Sequence, residues 1–412
     1  MRSLSLIALA ACGGSALPAG DDVPAPDAPV STALGHPFGT HTPYAPGTQL
    51  PDHPQAELDA ATTGFYATWK AAYLVAGCTP GDYRVKTMPA TATEFTVSEG
   101  HGYGMLIAAI IAGHDPDARA IFDGLYHYYA SHWSTAHPGL MAWAQDAACA
   151  DIEGADSATD GDFDIAYALL LADRQWGSTG AIDYATAAHA IIAASLDAEV
   201  HPASSILVGD WADATDSHYT GTRPSDFMTG HFRAFAAHDP RWTQVADHTY
   251  ATVAYLQAHA AAQTGLLPDF AIDASGATPA PAPGNWLEGA DDGHYSYNAC
   301  RVPWRLGLDA IVSGEARART AVGKLETWLA GATAGKPTAI RDGYKLDGTV
   351  LGTAPELAFV APALVGAMLD TSARTWLTAL WDETAARAPN EYYGDTLKLL
   401  AMLAASDNWW AP

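Results

Sequence analysis

From about Gln55 to its last residues the chain keeps one texture: Ala-rich runs with apolar residues at helical spacing and little strand-like alternation. A helix that is apolar along one stripe must be covered by another element, and here the only partners on offer are more helices. Periodicity predicts about twelve of them, over 55–74, 100–112, 117–131, 162–175, 184–196, 225–237, 242–262, 299–313, 316–330, 355–368, 373–386 and 391–404. Two connections repeat, Gly113-His114-Asp115-Pro116 and Ala237-His238-Asp239-Pro240. In each, Asp is placed to cap and Pro follows at the first helical position, which argues for helix hairpins. Helices paired in this way suggest a closed double ring of six hairpins, although periodicity alone establishes only a large all-α domain. No linker-like break interrupts 53–412, so one domain is expected there. The loops at 197–224 and 267–297 are long and carry aromatics and acids, as functional loops do.

Ahead of this domain, residues 13–52 are rich in Pro, Ala, Gly and Asp and are expected to form a flexible spacer. The N-terminus reads MRSLSLIALAACGGS, with Arg2 followed by an apolar run too short to span a bilayer. Leu9-Ala10-Ala11-Cys12 resembles a bacterial lipoprotein box, which would remove the signal segment (1–12 in the reading adopted) and lipidate Cys12; an ordinary signal peptide cut nearby is the alternative. An exported protein is expected, secreted or held to the cell envelope only by that lipid. Export permits disulfides. Cys78 and Cys149 both lie in loop-like stretches and are the expected pair, whereas Cys300 opens an apolar helix and is expected to be a buried free thiol.

Forty-six acidic against twenty basic side chains leave a net charge of −26, which argues against a nucleic-acid partner. Such a surface would suit a neutral or cationic polymer. The zinc-protease and serine-hydrolase motifs are missing: there is no H-E-x-x-H and no G-x-S-x-G, and sixteen His residues are scattered without ligand spacing. No metal or cofactor is expected, and the protein is expected to be a monomer.

Three stretches carry candidate chemistry. Ser157–Trp176, SATDGDFDIAYALLLADRQW, places Asp160, Asp162 and Asp164 at alternate positions at the start of a helix. Capping and the helix dipole account for acids in such a place, Asp162 and Asp164 included. A calcium loop would need Gly and Glu where Ile165 and Leu171 stand. Residues 96–105, TVSEGHGYGM, put Glu99 before Gly100, Gly102 and Gly104, which would let a ligand approach the backbone. The stretch 285–306, NWLEGADDGHYSYNACRVPWRL, holds Glu288, Asp291, Asp292, Asn298 and Arg301.

Together these stretches resemble the family-8 glycoside hydrolases, through A-T-D-G-D at 158–162, S-E-G-H-G-Y-G at 98–104 and Y-N-A-C-R-V-P-W-R at 297–305. The resemblance implies an (α/α)6 barrel, Glu99 as proton donor, and Asp160 beneath the sugar whose bond is cut. Best-known members place an Asp general base before A-C-R, where this chain has Asn298, and Asn cannot take a proton from water. A second branch, containing chitosanases, lichenases and endoglucanases, pairs that Asn with a loop glutamate. Glu288 is therefore the expected base, with Asp291 and Asp292 as rivals, and Arg301 is expected to orient one of the carboxylates. Tyr103, Trp143, Trp211, Trp286 and Tyr297 lie beside the acids or in the long loops, where rings could stack on sugars, and Tyr392 and Tyr393 match the family's C-terminal tyrosines. The expected function is inverting, endo-acting hydrolysis of β-1,4 linkages in a cellulose-like or mixed-linkage β-glucan. The alternative substrate is chitosan. The alternative of another class is a polysaccharide-binding protein that has lost its base.

Overall fold

The computed structural model describes residues 33–412. Cys12, the expected signal segment and the first part of the expected spacer lie outside the described residues. The chain forms α1 (Gln55–Tyr73), α2 (Ser98–Ile110), α3 (Ala118–Ser131), α4 (Thr159–Trp176), α5 (Tyr184–Ala198) and α6 (Thr229–Phe235). It continues through α7 (Arg241–His259), α8 (Val302–Ser313), α9 (Ala316–Ala332), α10 (Leu357–Ala367), α11 (Arg374–Ala386) and α12 (Tyr392–Ala405). Short antiparallel ribbons decorate the loops: Leu74–Ala76 with Tyr83–Val85, Thr96–Val97 with Ala144–Gln145, and Ala271–Ile272 with Ala280–Pro281.

Burial sorts the helices into two rings. In α2 every residue but Glu99 is buried, and in α10 all of them are. By contrast, α9 buries the stripe Ala318, Ala321, Val322, Leu325, Glu326 and Leu329. A helix enclosed on every side belongs inside, and a striped one covers it. The packing closes accordingly: α2 lies against α4, then α6, α8, α10 and α12 follow in turn, and α12 returns to α2. Outside them, α3 packs on α2, α5 on α4, α7 on α6, α9 on α8, α11 on α10 and α1 on α12. This is the expected (α/α)6 barrel.

The glycines after Glu99 serve this packing rather than a ligand, which corrects the sequence reading. A Cβ at Gly102 would stand 2.6 Å from Asp164 Cβ, and one at Gly161 would stand 2.3 Å from Ser98 Oγ. Only glycine lets α2 and α4 come this close. In the two repeated turns, the carboxylates of Asp115 and Asp239 each accept the backbone N–H two residues on, at 2.9 Å. Those turns follow inner helices. The long connections, 132–158, 199–228, 260–301 and 333–356, all lead from an outer helix into an inner one, so they gather at the end of the barrel where inner helices start.

Residues 33–52 are not the spacer expected of them. Backbone N–H groups of Gly35, Phe38, Ala45 and Gln49 donate to the carbonyls of Gln175, Ala112, Ile311 and Met368 at 2.7–3.0 Å. The Tyr44 hydroxyl donates to the Ala404 carbonyl at 2.7 Å. These carbonyls lie at or just beyond the ends of inner helices, where no intrahelical donor remains. The segment is thus a strap across the far end of the barrel. Leu34, Phe38, Tyr44 and Leu50 pack on the core without any helical period, which is why composition alone reads as a linker. Cys78 and Cys149 form the expected disulfide, tying the loop after α1 to the loop after α3, and Cys300 is free and buried. Among the described residues no helix is long and apolar enough to cross a membrane.

Candidate active site

Because the inner helices run the same way, their first turns converge under the long loops. Glu99 is the second residue of α2, Asp160 the second of α4, Tyr392 the first of α12, and Arg301 immediately precedes α8. Helix starts favour carboxylates, so two acids are held here at little cost. Arg301 is buried at the centre. Its Nη1 donates to Glu99 Oε2 at 2.5 Å and to Asp160 Oδ2 at 2.7 Å. Its Nη2 donates to Ser225 Oγ and Asn298 Oδ1, both at 2.8 Å. Arginine was expected to orient one carboxylate, and it orients two.

Asn298 relays this contact outward. Since a guanidinium can only donate, the amide oxygen must face Arg301, leaving Nδ2 to donate to Glu288 Oε2 at 2.8 Å. Glu99 and Glu288 are thus connected through Arg301 and Asn298. The Tyr392 hydroxyl donates to Glu99 Oε1 at 3.3 Å.

The two inner carboxyls experience opposite fields. Burial pushes the Glu99 pKa up; Arg301 pulls it back, the nearby Asp160 charge pushes the same way as burial, and the net direction is upward. Burial also acts upward on Asp160, but Arg223 and then Arg301 outweigh it and hold that carboxyl below the usual range. Environments that separate two carboxyls in this way can keep one protonated while the other is ionised.

Of the three alternating acids, only Asp160 faces the site. Asp162 Oδ1 accepts the Met141 N–H at 2.7 Å. Asp164 takes both prongs of Arg305 at 2.7 and 2.6 Å and lies 2.9 Å from His231. Both tie the start of α4 to neighbouring elements and neither bonds the helix's own N–H groups, so the capping expected of them is not their role. The rivals to Glu288 separate as cleanly. Asp292 is buried and accepts the N–H groups of Leu287, Glu288 and Gly289 at 2.7, 3.2 and 2.8 Å, so it shapes the loop that carries Glu288. Asp291 is exposed.

The aromatic candidates divide. Tyr103 is fully buried, edge-on to Trp304, with its hydroxyl 3.4 Å from Arg301, so it cannot stack on a sugar. Trp143 is half-buried, and its carbonyl accepts the Ser98 N–H at 2.8 Å, setting it beside Glu99. Trp211 and Trp286 flank His218 at 5.4 and 4.6 Å in a satellite cluster with Phe270. Tyr297 is 45% exposed, its ring edge-on to Phe359. Tyr393 donates to the Tyr297 carbonyl at 2.5 Å and so steadies the turn before Asn298.

Sequence reasoning missed Arg223, Asp226 and Asp269. Asp269 accepts the N–H groups of Ser296 and Ala299 at 2.9 and 2.6 Å and fixes the turn that presents Asn298. Burial drives its pKa up to about 7 against those bonds. Arg223 and Asp226 form an ion pair inside a long loop, and their i, i+3 spacing around Pro224-Ser225 was the available signal.

The family model described as "Glycosyl hydrolases family 8" matches residues 56–407. A β-glucanase of Niallia circulans is 45% identical over 383 residues, covering 92% of each chain. An endoglucanase of Bacillus sp. (strain KSM-330) is 37% identical over 391 residues, covering 91% of this chain and 82% of the relative. The solved apo structure of a β-1,3-1,4-glucanase from Paenibacillus sp. X4 is 44% identical, with a TM-score of 0.89 over 92% of this chain and 100% of the other.

Proposed function

The chain belongs to glycosyl hydrolases family 8, and on that premise we propose that it is an inverting, endo-acting hydrolase of β-1,4 linkages in a cellulose-like or mixed-linkage β-glucan. The relatives described as β-glucanase, endoglucanase and β-1,3-1,4-glucanase support the substrate class. The relay Glu99–Arg301–Asn298–Glu288 is the observation that carries the mechanism.

Glu99 acts as general acid. With Oε2 accepting from Arg301 at 2.5 Å, Oε1, held only by the longer 3.3 Å contact from the Tyr392 hydroxyl, carries the proton to the leaving glycosidic oxygen. Glu288 acts as general base on a water attacking from the opposite face. For inversion the two carboxyls must stand roughly 6.5–9.5 Å apart, far enough to admit that water. Asn298 takes the place of the usual base and instead aims its amide N–H at Glu288. Asp160, ionised, accepts hydrogen bonds from the sugar at the cleavage point and favours its oxocarbenium-like shape. Trp143, Trp211, Trp286 and Tyr297 supply ring edges and faces along the cleft.

Reducing-end release from lichenan, carboxymethyl-cellulose and soluble chitosan, measured side by side with viscosity, tests the proposal. Lichenan and carboxymethyl-cellulose should be cut, with viscosity falling well before sugar release approaches completion. Cleavage of chitosan alone would replace the substrate with the cationic polymer. Binding to all three polymers without cleavage would replace the enzyme with a binding protein.

A further inference from the structure

We infer that Arg223, anchored by Asp226, is a positioning residue that keeps Asp160 ionised and in place during the reaction. The inference rests on the roles given above to Glu99, Glu288 and Asp160, and deepens them. Arg223 Nη2 lies 2.8 Å from Asp160 Oδ1, while Arg301 Nη1 holds Oδ2 at 2.7 Å. The Gly161 N–H also donates to Oδ1 at 3.0 Å, so Arg301 and the helix start fix the Asp160 carboxylate while Arg223 sets a second cation against it. Arg223 is itself fixed, since its Nε donates to both Asp226 oxygens at 2.9 and 3.0 Å and Asp226 is fully buried.

The charges around Asp160 show what Arg223 does. Facing or influencing it are Glu99 on α2, Arg301 and Arg305 at the start of α8, and Arg223 and Asp226 ahead of α6; the charge of Glu288 in turn acts on Arg223. Three guanidiniums, Arg223, Arg301 and Arg305, meet three carboxyls, Asp160, Asp164 and Asp226, once Glu99 carries its proton, and burial pushes the Asp226 pKa up to about 7, so this balance holds above that pH. Without Arg223, Asp160 and Asp226 would both lean on Arg301, which already serves Glu99. One carboxylate would then take up a proton, because unpaired buried charge is costly. Arg223 also heads the influences that hold the Asp160 pKa down against burial. A carboxyl held low stays ionised as pH falls, so releasing it moves the loss of its charge to higher pH.

The test is the pH dependence of kcat on lichenan for Arg223→Gln, Arg223→Lys and Asp226→Asn. Arg223→Gln should lower kcat by about 10- to 100-fold with KM little changed, and should move the acid limb to higher pH. Arg223→Lys should recover most of the rate and return the limb toward wild type. Asp226→Asn breaks the same ion pair but removes a negative charge, so its limb should stay or move to lower pH. An unmoved limb in Arg223→Gln, or limbs shifting upward together in Arg223→Gln and Asp226→Asn, overturns the inference. If Arg223→Gln does not fold, Arg223→Lys and Asp226→Asn decide between the same outcomes. Glu99→Gln and Glu288→Gln run in parallel keep the two readings apart. Inactive glutamate variants beside an unaffected Arg223→Gln sink only this inference, whereas active ones sink the assignment beneath it.

Discussion

Glu99→Gln lowers kcat on lichenan by about 10²–10⁴-fold, the range associated with losing a general acid, while KM stays close to wild type. Glutamine keeps the size of the side chain and an oxygen for Arg301 to donate to, so the site should stay assembled and melting should change little. Two further results separate loss of the acid from damage. An aryl glycoside with a good leaving group needs less protonation, so the variant should be far less impaired on it. The wild-type alkaline limb should also vanish. Burial raises the Glu99 pKa, and the acid works only when protonated, so activity is full below that pKa and falls as pH rises through it. Glutamine has no proton to lose. A variant that keeps its alkaline limb places the titrating acid elsewhere.

Glu288→Gln is the second large effect, again about 10²–10⁴-fold on kcat. Here a better leaving group should bring no recovery, because water must still be deprotonated whatever departs. Glu288→Ala with added azide should regain turnover and yield the α-glycosyl azide, since a small anion can attack from the vacated face without a base. The Asn298 contact explains why this pair of residue types goes together: Asn298 Nδ2 donates to Glu288, whereas an Asp there would set a second negative charge against it. Full activity in Glu288→Gln would take the base away from Glu288 and leave Asp291 as the candidate in this loop, since Asp292 is occupied by three backbone N–H groups.

The fold was legible where local periodicity carries it. Each predicted run became a helix within a few residues, and Asp115 and Asp239 bond the N–H two residues on in turns that precede helices, although α3 and α7 begin at Ala118 and Arg241 and leave Pro116 and Pro240 ahead of the first helical position. Glu99, Asp160 and Arg301 were legible for a related reason: each stands at the start of an inner helix, in a short motif that one stretch of chain contains whole. What was hidden depended on distant partners. The strap over 33–52 bonds to carbonyls as far along the chain as Ala404, and its composition is that of a spacer. Arg223 meets Asp160 only because one long loop folds over another helix start. Gly102 looks the same in sequence whether it faces a ligand or, as here, the flank of α4. Tyr103 sits next to a candidate acid in the chain, but the helix turns its ring into the core.

The account depends on a water reaching the sugar from the face opposite Glu99, drawn there by Glu288. Proton NMR of the anomeric signals during the first minutes of hydrolysis reads this directly. The α-anomer of the new reducing end should appear first and convert to the β-anomer only by mutarotation. A β-anomer formed first would mean retention, a carboxyl pair only about 5–5.5 Å apart and a covalent intermediate, and would contradict the roles assigned to both glutamates.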